Sequence, residues 1–568
     1  MNNAQLAAAL TELADYMALE GRDTHRVAHY KGAATALRRF EHPVADMIRG
    51  GVDLTGVPGI GKGLAGFLEE LIRSGTAQRL DDHRARIPEG LLEVVRVEGV
   101  GATRARTLWR DMGIETVADL ESVLGSRGVL ALDGFGPGVV ARIRRGLAAM
   151  AQLRGRVLLT DADRTLAEVD SVLSTGGAAF AVAGETARRT ETVALLDVVA
   201  AGDPGQVWDL LAGSPFEAAG PRESNPVSVS SPTGLPIRIT TVDEAQLGAV
   251  SHHLTGPPAY LEALSDEAAG QGLTLTPLGL IHGDGLRITD VTEIYEALDL
   301  PPVPPELRVD SGTIQRVRSR GVPGLVAHDD VRGDLHLHTT WSDGAATLER
   351  MVQAARERGY EYVAITDHSP STGAVSGLDA RALGNQRQEI ARVQDEYPDI
   401  RVFTGIEVDI LPDGSLDMDD ESLMSLDVVV ASVHSAFEQD RATMTRRIIR
   451  AMENPAVRIL GHPTGRKIGR RLGYPVDVDA ILDAALALDV AVEVNGSPRR
   501  LDLDWQGLWQ CMERGVNVVV TSDAHSIARL DNIQNAVDQA RRGWLSAQNV
   551  VNTRSLSEIM SWTNRRRG

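Results

Sequence analysis

The stretch GDLHLHTTWSDG, residues 333–344, places His336 and His338 two positions apart in an apolar run, with Asp343 just beyond. Alternate residues of a strand share a face, so the two imidazoles stand side by side. The same pairing of an apolar run with a ligand-type residue at its end recurs downstream. ITDHS carries His368, GIEVD carries Glu407, ASVHS carries His434, GHPTG carries His462, and TSDAHS carries Asp523 and His525. One histidine at a strand end is ordinarily a surface or hydrogen-bonded residue. Here His336, His338, His368, His434, His462 and His525 all sit at run ends, out of 14 histidines in the chain. Imidazole and carboxylate donors without thiolate form a set suited to Zn²⁺, Mn²⁺ or Fe²⁺. Asp343 and Glu407 would be ordinary loop carboxylates alone and gain their meaning from this company. His252, His253 and His282 have no such company and read as structural or exposed.

The elements that must position these residues are legible in the same region. Seven short β-rich runs (GDLHLH, YVAIT, VFTGIEV, DVVVASVH, VRILGH, VAVEVN and NVVVTSD) follow residue 333, mostly separated by helical stretches such as LERMVQAARERG and AILDAALALD. Apolar runs alternating with helices predict parallel strands joined by crossover helices, and this number of units suits a closed β/α barrel. In such a barrel the C-terminal strand ends share one rim, so six of the seven runs deliver their ligands to one place. Arg466, Arg499 and Arg500, in loops after the fifth and sixth runs, are candidates to grip an anion there.

Upstream the pattern changes. Residues 1–150 read as helical, with three Gly-rich breaks: VPGIGKGLAGFL (57–68), VEGVGATRARTL (97–108) and LDGFGPGVVARI (132–143). Each places G-x-G at the start of a helix, exposing backbone N–H groups at Gly59, Gly61, Gly99, Gly101, Gly134 and Gly136, with Lys62 beside the first. Three copies predict helix-hairpin-helix elements that hold a DNA backbone without reading its sequence. Residues 155–300 alternate strands (RVLLT, AFAVAGE, VALLDVVAAG, LPIRITTVD) with helices, an α+β or α/β segment. A Pro-rich stretch, LDLPPVPPELR (298–308), leads into the expected linker.

Composition bounds the rest. The 568 residues exceed one ordinary core, so several domains are expected. With 43% apolar and 24% charged residues the chain has the make-up of a soluble globular protein. Its one cysteine, Cys511, excludes an intrachain disulfide and a cysteine-rich zinc module and fits a reducing cytosol. No apolar run approaches the ~18 residues of a spanning helix, and the first residues read as an amphipathic helix rather than a signal peptide. The net charge of −20 argues by itself against a nucleic-acid partner, but residues 1–150 hold nineteen basic and nineteen acidic side chains, so the excess acid lies downstream.

With these motifs in view, residues 333–530 resemble the PHP (polymerase and histidinol phosphatase) family of trinuclear metal phosphoesterases. The matching stretches are DLHLHTTWSDG, ITDHS, GIEVDI, ASVHS, GHPTGR, EVNGSPRRLDL and TSDAHS. The resemblance implies that His336, His338, Glu407 and Asp523 hold one metal, that Glu407 bridges to a second held with His434 and His462, and that Asp343, His368 and His525 hold the third. Such cations bring a bridging water towards neutral pKa and neutralise charge on phosphoryl oxygens, so no side-chain nucleophile is needed. His336, His338, Glu407, His434 and Asp523 are then the catalytic set, with Mn²⁺ or Zn²⁺ as cofactor.

The whole chain resembles bacterial family-X DNA polymerases that carry a C-terminal PHP domain. HRVAHYKGAATALRRF and VPGIGKG resemble the N-terminal helical domain, ARRTETVALLDVV the palm strand, HHLTGPPAY the nucleotide-binding turn, and EIYEALDLPPVPPELR the end of the thumb. The resemblance predicts helix-hairpin-helix domains, a nucleotidyltransferase-like α+β palm, and a distorted (β/α)7 PHP barrel. The expected domains are 1–85 and 86–152 (helical), 153–240 (palm), 241–310 (thumb), 311–332 (linker) and 333–568 (barrel). The palm departs from the family pattern. Its D-x-D becomes Leu195 and Asp197, the third aspartate position falls at Pro236, the Gly-Ser grip is Gly184-Glu185, and the Gly-Ser-Lys turn is Gly256-Pro257-Pro258. Two-metal nucleotidyl transfer needs carboxylates on both Mg²⁺ ions, so the expectation is a weak or lost polymerase with Asp197 as its remaining ligand. No lyase lysine is assigned; Lys31 and Lys62 are the only candidates. The predicted activity is a metal-dependent 3′–5′ exonuclease or 3′-end-processing enzyme in repair, acting as a cytoplasmic monomer on gapped, nicked or 3′ DNA ends. The alternatives are a gap-filling polymerase with atypical ligands and a DNA-bound phosphomonoesterase of histidinol-phosphatase type.

Overall fold

In the computed structural model, residues 1–568 are described except 2, 23, 40–42, 57–59, 283, 284, 286, 373–376 and 565–568. The chain divides into two compact units, residues 1–152 with 467–472, and residues 153–466 with 473–568. No helix among the described residues is long and apolar enough to cross a membrane.

The first unit is helical, as its sequence period demands. In Asn3–Glu20 the fully buried Leu6, Leu10, Leu13 and Met17 recur at helical spacing and line one stripe. That stripe belongs to a core running on through Leu68, Leu91, Leu108 and Phe135 to Leu147. Packing is therefore continuous across residue 85, where two domains were expected to meet. The three G-x-G stretches each open a helix, at Lys62–Ser74, Gly101–Met112 and Pro137–Ala151.

In the second unit the palm-like module is a five-stranded mixed sheet. Its strands are β1 (Phe180–Ala183), β2 (Leu196–Ala201), β3 (Glu217–Ala219), β4 (Val227–Ser230) and β5 (Pro236–Val242), in the order β1-β2-β5-β4-β3. Only the β2–β5 pair is parallel. β2 is buried along nearly its whole length, and β5 alternates buried β-branched residues with partly exposed ones. Residues 311–332, expected as a linker, are ordered. They contain the helix Gly312–Arg320, whose Ile314 and Val317 are buried with Val303, Leu307 and Trp544. Its Arg316 lies over the rings of Trp509 and Trp544.

The barrel strands are β6 (Gly333–Asp334), β7 (Tyr362–Ile365), β8 (Arg401–Asp409), β9 (Val428–Ser432), β10 (Ile459–Leu460), β11 (Ala491–Asn495) and β12 (Val518–Thr521). They pair in sequence order, all parallel, and each falls on one of the seven expected runs. The ring is nearly closed. A parallel bridge joins Leu337 to Ala524, with the His338 N–H donating to the Ala524 carbonyl at 2.9 Å. Below it, the buried Asn552 side chain bridges the two edges. Its amide donates to the Gly333 and Val520 carbonyls, each at 2.7 Å, and its oxygen accepts from the Val520 N–H at 3.1 Å. Trp562, fully buried, packs with Leu335, Tyr362, Phe403, Val428 and Val519 inside the ring. Helices cover the outside through apolar stripes, as in Leu348–Glu357, where Leu348, Met351, Val352 and Ala355 are buried. Side chains of Thr347, Asp379, Asp440, Asp477 and Asp504 cap successive crossover helices.

Candidate metal centre

All nine predicted ligands meet at the C-terminal rim of the barrel. Glu407, on β8, is the hub. Its Oε2 lies 2.9 Å from His368 Nδ1, 3.3 Å from His336 Nε2 and 3.5 Å from His338 Nε2. Its Oε1 lies 3.1 Å from His462 Nε2 and 3.4 Å from His434 Nε2. Asp523 Oδ1 stands 3.3 Å from His338 Nε2 and 3.9 Å from His336 Nε2. Asp343 faces His525 Nε2 at 3.3 Å and His368 Nε2 at 3.7 Å.

Three groups have ligand atoms close enough to share an ion: His336, His338 and Glu407; His368, Glu407 and His434; and His338, Asp343, His368 and His525. The third contains the Asp343, His368 and His525 set that the resemblance implies, and the first holds three of the four residues implied for its metal, without Asp523. The second draws in His368, with His462 on the other oxygen of Glu407.

The donors fit cations. His336 Nε2, His338 Nδ1 and Nε2, and His368 Nδ1 are buried with no hydrogen-bond partner among the described residues. Buried polar atoms are almost always satisfied, and several converging imidazole lone pairs around carboxylates are satisfied by metal. Burial pushes the Glu407 carboxyl up, but the imidazoles of His336, His434 and His368 outweigh it and hold it well below the usual range. Burial, with His525 and His368 nearby, pushes His338 down to about 3, which keeps it neutral as a ligand must be. The backbone is strained where two ligands are aimed: His462 has φ +25° and Asp523 φ +49°.

Behind the ligands stand carboxylates that the sequence reading did not single out. Glu493 on β11 lies 2.6 Å from His336 Nδ1, and Asp409 at the end of β8 lies 2.6 Å from His434 Nδ1. Each fixes a tautomer, leaving Nε2 to face Glu407. Asp367, buried, accepts from the Thr339 and Ser342 backbones and from the side chains of Thr339, Ser342 and Gln386 at 2.5–3.1 Å, which fixes the HLHTTWSD turn. The only signal for them was adjacency: each lies inside a quoted motif or run.

The rim arginines differ from one another. Arg466 is turned away from the centre. It pairs with Glu191 at 2.7 and 3.3 Å and donates to the carbonyls of Arg500 and Leu501. Arg500 reaches the site, with Nε 3.3 Å from Asp523 Oδ2 and a buried Nη1 that has no hydrogen-bond partner among the described residues. Arg499 lies in the same turn, half-buried.

Comparison with known proteins adds the lineage. The helix-hairpin-helix domain family matches residues 1–77 and the PHP domain family residues 334–466. A protein of Bacillus subtilis (strain 168) named "DNA polymerase/3'-5' exonuclease PolX" is 33% identical over 576 residues, covering 100% of both chains. The chain belongs to the family-X DNA polymerases with a C-terminal PHP domain. A "Probable phosphatase" of Thermoanaerobacter sp. (strain X514) is 30% identical over 234 residues, 39% of this chain and 89% of its own. Another, from Caldanaerobacter subterraneus subsp. tengcongensis, is 29% identical over 245 residues, 41% of this chain and 91% of its own. As a family-X/PHP protein the chain is an enzyme with a metal-dependent phosphoesterase module and a DNA-binding helical domain.

Within this family-X chain the palm is built differently from the metal centre. Asp197 on β2 is buried and its register partner on β5 is Arg238, whose Nε lies 2.5 Å from its Oδ1. A guanidinium thus neutralises this carboxylate. Leu195 precedes β2 and Pro236 begins β5, as read from the sequence. Glu185 does not face an open cleft; it pairs with Arg156 at 2.5 Å and accepts from the Ala194 N–H at 2.8 Å. Asp203 caps the helix Pro204–Ala212 and Asp209 pairs with Arg222. No group of three metal-type side chains lies in the palm among the described residues.

The hairpin glycines divide as well. Gly99, Gly101 and Gly134 have positive φ (+89°, +62° and +80°), which only glycine adopts freely. Gly61 and Gly136 cap their helices, and both are exposed with open space around them. Lys62, exposed, is the first residue of its helix. Arg104 ties the second turn to the third, donating to the carbonyls of Gly99 and Gly134, both at 3.0 Å. Gly59 lies outside the described residues.

Proposed function

We propose that the barrel centre hydrolyses phosphodiesters at DNA 3′ ends, as a 3′–5′ exonuclease or end-processing activity in repair, and that nucleotidyl transfer at the palm is weak or lost. The observation that carries this is the convergence of six imidazoles and three carboxylates, with orphaned buried nitrogens, around Glu407, His338 and His368. His336, His338, Glu407 and Asp523 would hold one cation, Glu407, His434 and His462 a second, and Asp343, His368 and His525 a third; His368 also reaches the second group.

Bound cations, Mn²⁺ in first place and Zn²⁺ in second, supply an activated water and charge neutralisation. Glu493 and Asp409 orient His336 and His434. Arg500, with an unpartnered buried N–H beside Asp523, takes a phosphate oxygen of the substrate. The exposed helix starts at Gly61–Lys62, Gly101 and Gly136, with Gly99 and Gly134 shaping their turns, hold the phosphate backbone of DNA without reading bases. Asp197 is too engaged with Arg238 to serve Mg²⁺. The five expected domains and the 311–332 linker, a cytoplasmic location and a monomeric state belong to the same reading.

Variants His336→Ala and His434→Ala test it. Both should abolish Mn²⁺-dependent shortening of a labelled oligonucleotide and leave DNA binding intact. Hydrolysis surviving in metal-free His434→Ala protein overturns the assignment. The probable phosphatases that match the barrel alone favour a second reading, phosphomonoester hydrolysis. Faster turnover of small phosphomonoesters than of single-stranded DNA would support that reading instead.

A further inference from the structure

Arg466 was expected to hold substrate and instead holds the protein. Its guanidinium forks onto Glu191 of the palm-like module, with Nη2 at 2.7 Å from Oε1 and Nη1 at 3.3 Å from Oε2. Its Nε donates to the Arg500 carbonyl at 2.9 Å and its Nη2 also donates to the Leu501 carbonyl. We propose that Glu191 is a positioning residue for the barrel's hydrolytic site, acting through Arg466 on the Arg500–Leu501 turn so that the Arg500 guanidinium is held as the substrate-phosphate clamp. This rests on the reading that the barrel centre hydrolyses phosphoesters.

The turn needs an external brace. Leu501 has φ +44°, a left-handed conformation that residues with a Cβ rarely adopt and that persists only where its surroundings impose it. Arg466 imposes it by fixing both carbonyls of the turn. Of the carboxylates near this guanidinium, Glu191 makes the direct fork at 2.7 Å while Asp504 stands off at 3.8 Å, so Glu191 is the contact that sets its orientation. From the braced turn the Arg500 side chain runs to Asp523, whose other oxygen faces His338 at 3.3 Å. Asn495 holds the same Asp523 Oδ2 at 3.0 Å. The clamp, one ligand and the palm carboxylate are therefore consecutive links of one chain of polar contacts.

The palm is a firm anchor for this chain. Two residues before Glu191, Arg189 joins Asp163 of the palm at 2.6 Å to Asp538 of the barrel helix Ile533–Arg542 at 2.7 Å. The Glu191 carbonyl accepts from the Leu159 N–H at 3.1 Å. The segment is pinned to the barrel on one side and to its own module on the other. A palm with Arg238 on its last aspartate thus keeps a task that needs no nucleotidyl transfer.

The test is steady-state hydrolysis of a single-stranded oligonucleotide at saturating Mn²⁺ by wild type, Glu191→Ala, Arg500→Ala, the double variant and Glu191→Asp. Loss of a charge-assisted contact predicts a roughly 10- to 100-fold fall in kcat/KM for Glu191→Ala, mainly through KM. The double variant should be no worse than Arg500→Ala, because both act through one group, and Glu191→Asp should recover part of the loss. Mn²⁺ affinity by electron paramagnetic resonance should be unchanged in Glu191→Ala. Binding of inorganic phosphate to the Mn²⁺-loaded protein should weaken in both single variants. Should Glu191→Ala fail to fold, Glu191→Gln replaces it with the same expectations. Additive losses in the double variant, or wild-type kcat/KM in a folded Glu191→Ala protein, overturn the positioning role. His434→Ala separates the two readings: hydrolysis surviving in it overturns the metal centre and this inference with it, whereas hydrolysis lost in it with Glu191→Ala at wild-type rates overturns only the inference.

Discussion

Glu493 Oε1 lies 2.6 Å from Nδ1 of His336, and the opposite nitrogen of that ring lies 3.3 Å from Glu407. The carboxylate also accepts from the Thr521 hydroxyl at 2.6 Å and from the His462 N–H, so one buried side chain orients residues on three strand ends. Carboxylates behind metal-binding histidines tune both orientation and basicity. Glu493→Gln should weaken Mn²⁺ binding roughly 10- to 100-fold, read by titration followed by electron paramagnetic resonance. Unchanged affinity would remove Glu493 from the centre.

The Asp197–Arg238 pair predicts a stability effect at the palm. Burial raises the Asp197 carboxyl, and Arg238 opposes it. Arg238→Ala leaves that buried carboxylate without its direct partner, which should cost roughly 1–3 kcal/mol, less than the roughly 3–5 kcal/mol of a fully buried pair because Arg238 is partly exposed. The loss should be largest near neutral pH and fade in acid, where Asp197 takes up a proton. Urea unfolding at two pH values measures it; an equal loss at both contradicts the pairing.

Asn552 closes the barrel where the first and last strands fail to pair. Asn552→Ala strands the Gly333 and Val520 groups in a buried seam and should cost roughly 2–4 kcal/mol. Hydrogen exchange should show the Val520 amide losing protection before other strands. Protection equal to wild type would show the seam held by other contacts.

His252 makes stability depend on pH away from the metal centre. Its Nε2 lies 2.8 Å from the Tyr295 hydroxyl, which in turn lies 2.5 Å from the Tyr260 hydroxyl. Burial, with Arg308 and His253 adding to it, pushes the imidazole down to about 3. The unfolded chain binds a proton below about 6.5 that the folded chain refuses. Stability is therefore full above pH 6.5 and falls by up to about 1.4 kcal/mol per pH unit as pH drops from 6.5 towards 3. Comparing His252→Gln with wild type across that window isolates the effect; identical pH dependence would assign it elsewhere.

The candidate ligands were legible because they fall in a plain pattern along the barrel strands. A short parallel strand buried on both faces reads as an unbroken apolar run, and the ligand follows where the run stops, as at VVVAS before His434. Glu493 and Asp409 were hidden because a carboxylate behind a ligand looks like any other, and Glu493 is 157 positions from the ring it holds. Arg466 read as a rim cation because its partner, Glu191, is 275 positions away. The prolines after Leu298 signalled a linker, but Val303, Leu307, Ile314 and Val317 were apolar enough to pack it. In the palm, Leu195 and Pro236 were legible where the family pattern has aspartates, while Arg238 as the partner of Asp197 emerged only from strand register.

The central claim is that this family-X chain hydrolyses through its barrel and not through its palm. The most direct measurement is one assay on a gapped DNA with a labelled primer, run with all four deoxynucleotides and with Mn²⁺ or Mg²⁺, reading shortening and extension on the same gel. Mn²⁺-dependent shortening that His434→Ala abolishes is expected, with little or no extension in either metal. Extension that Asp197→Ala abolishes, alongside shortening indifferent to His434→Ala, would contradict it.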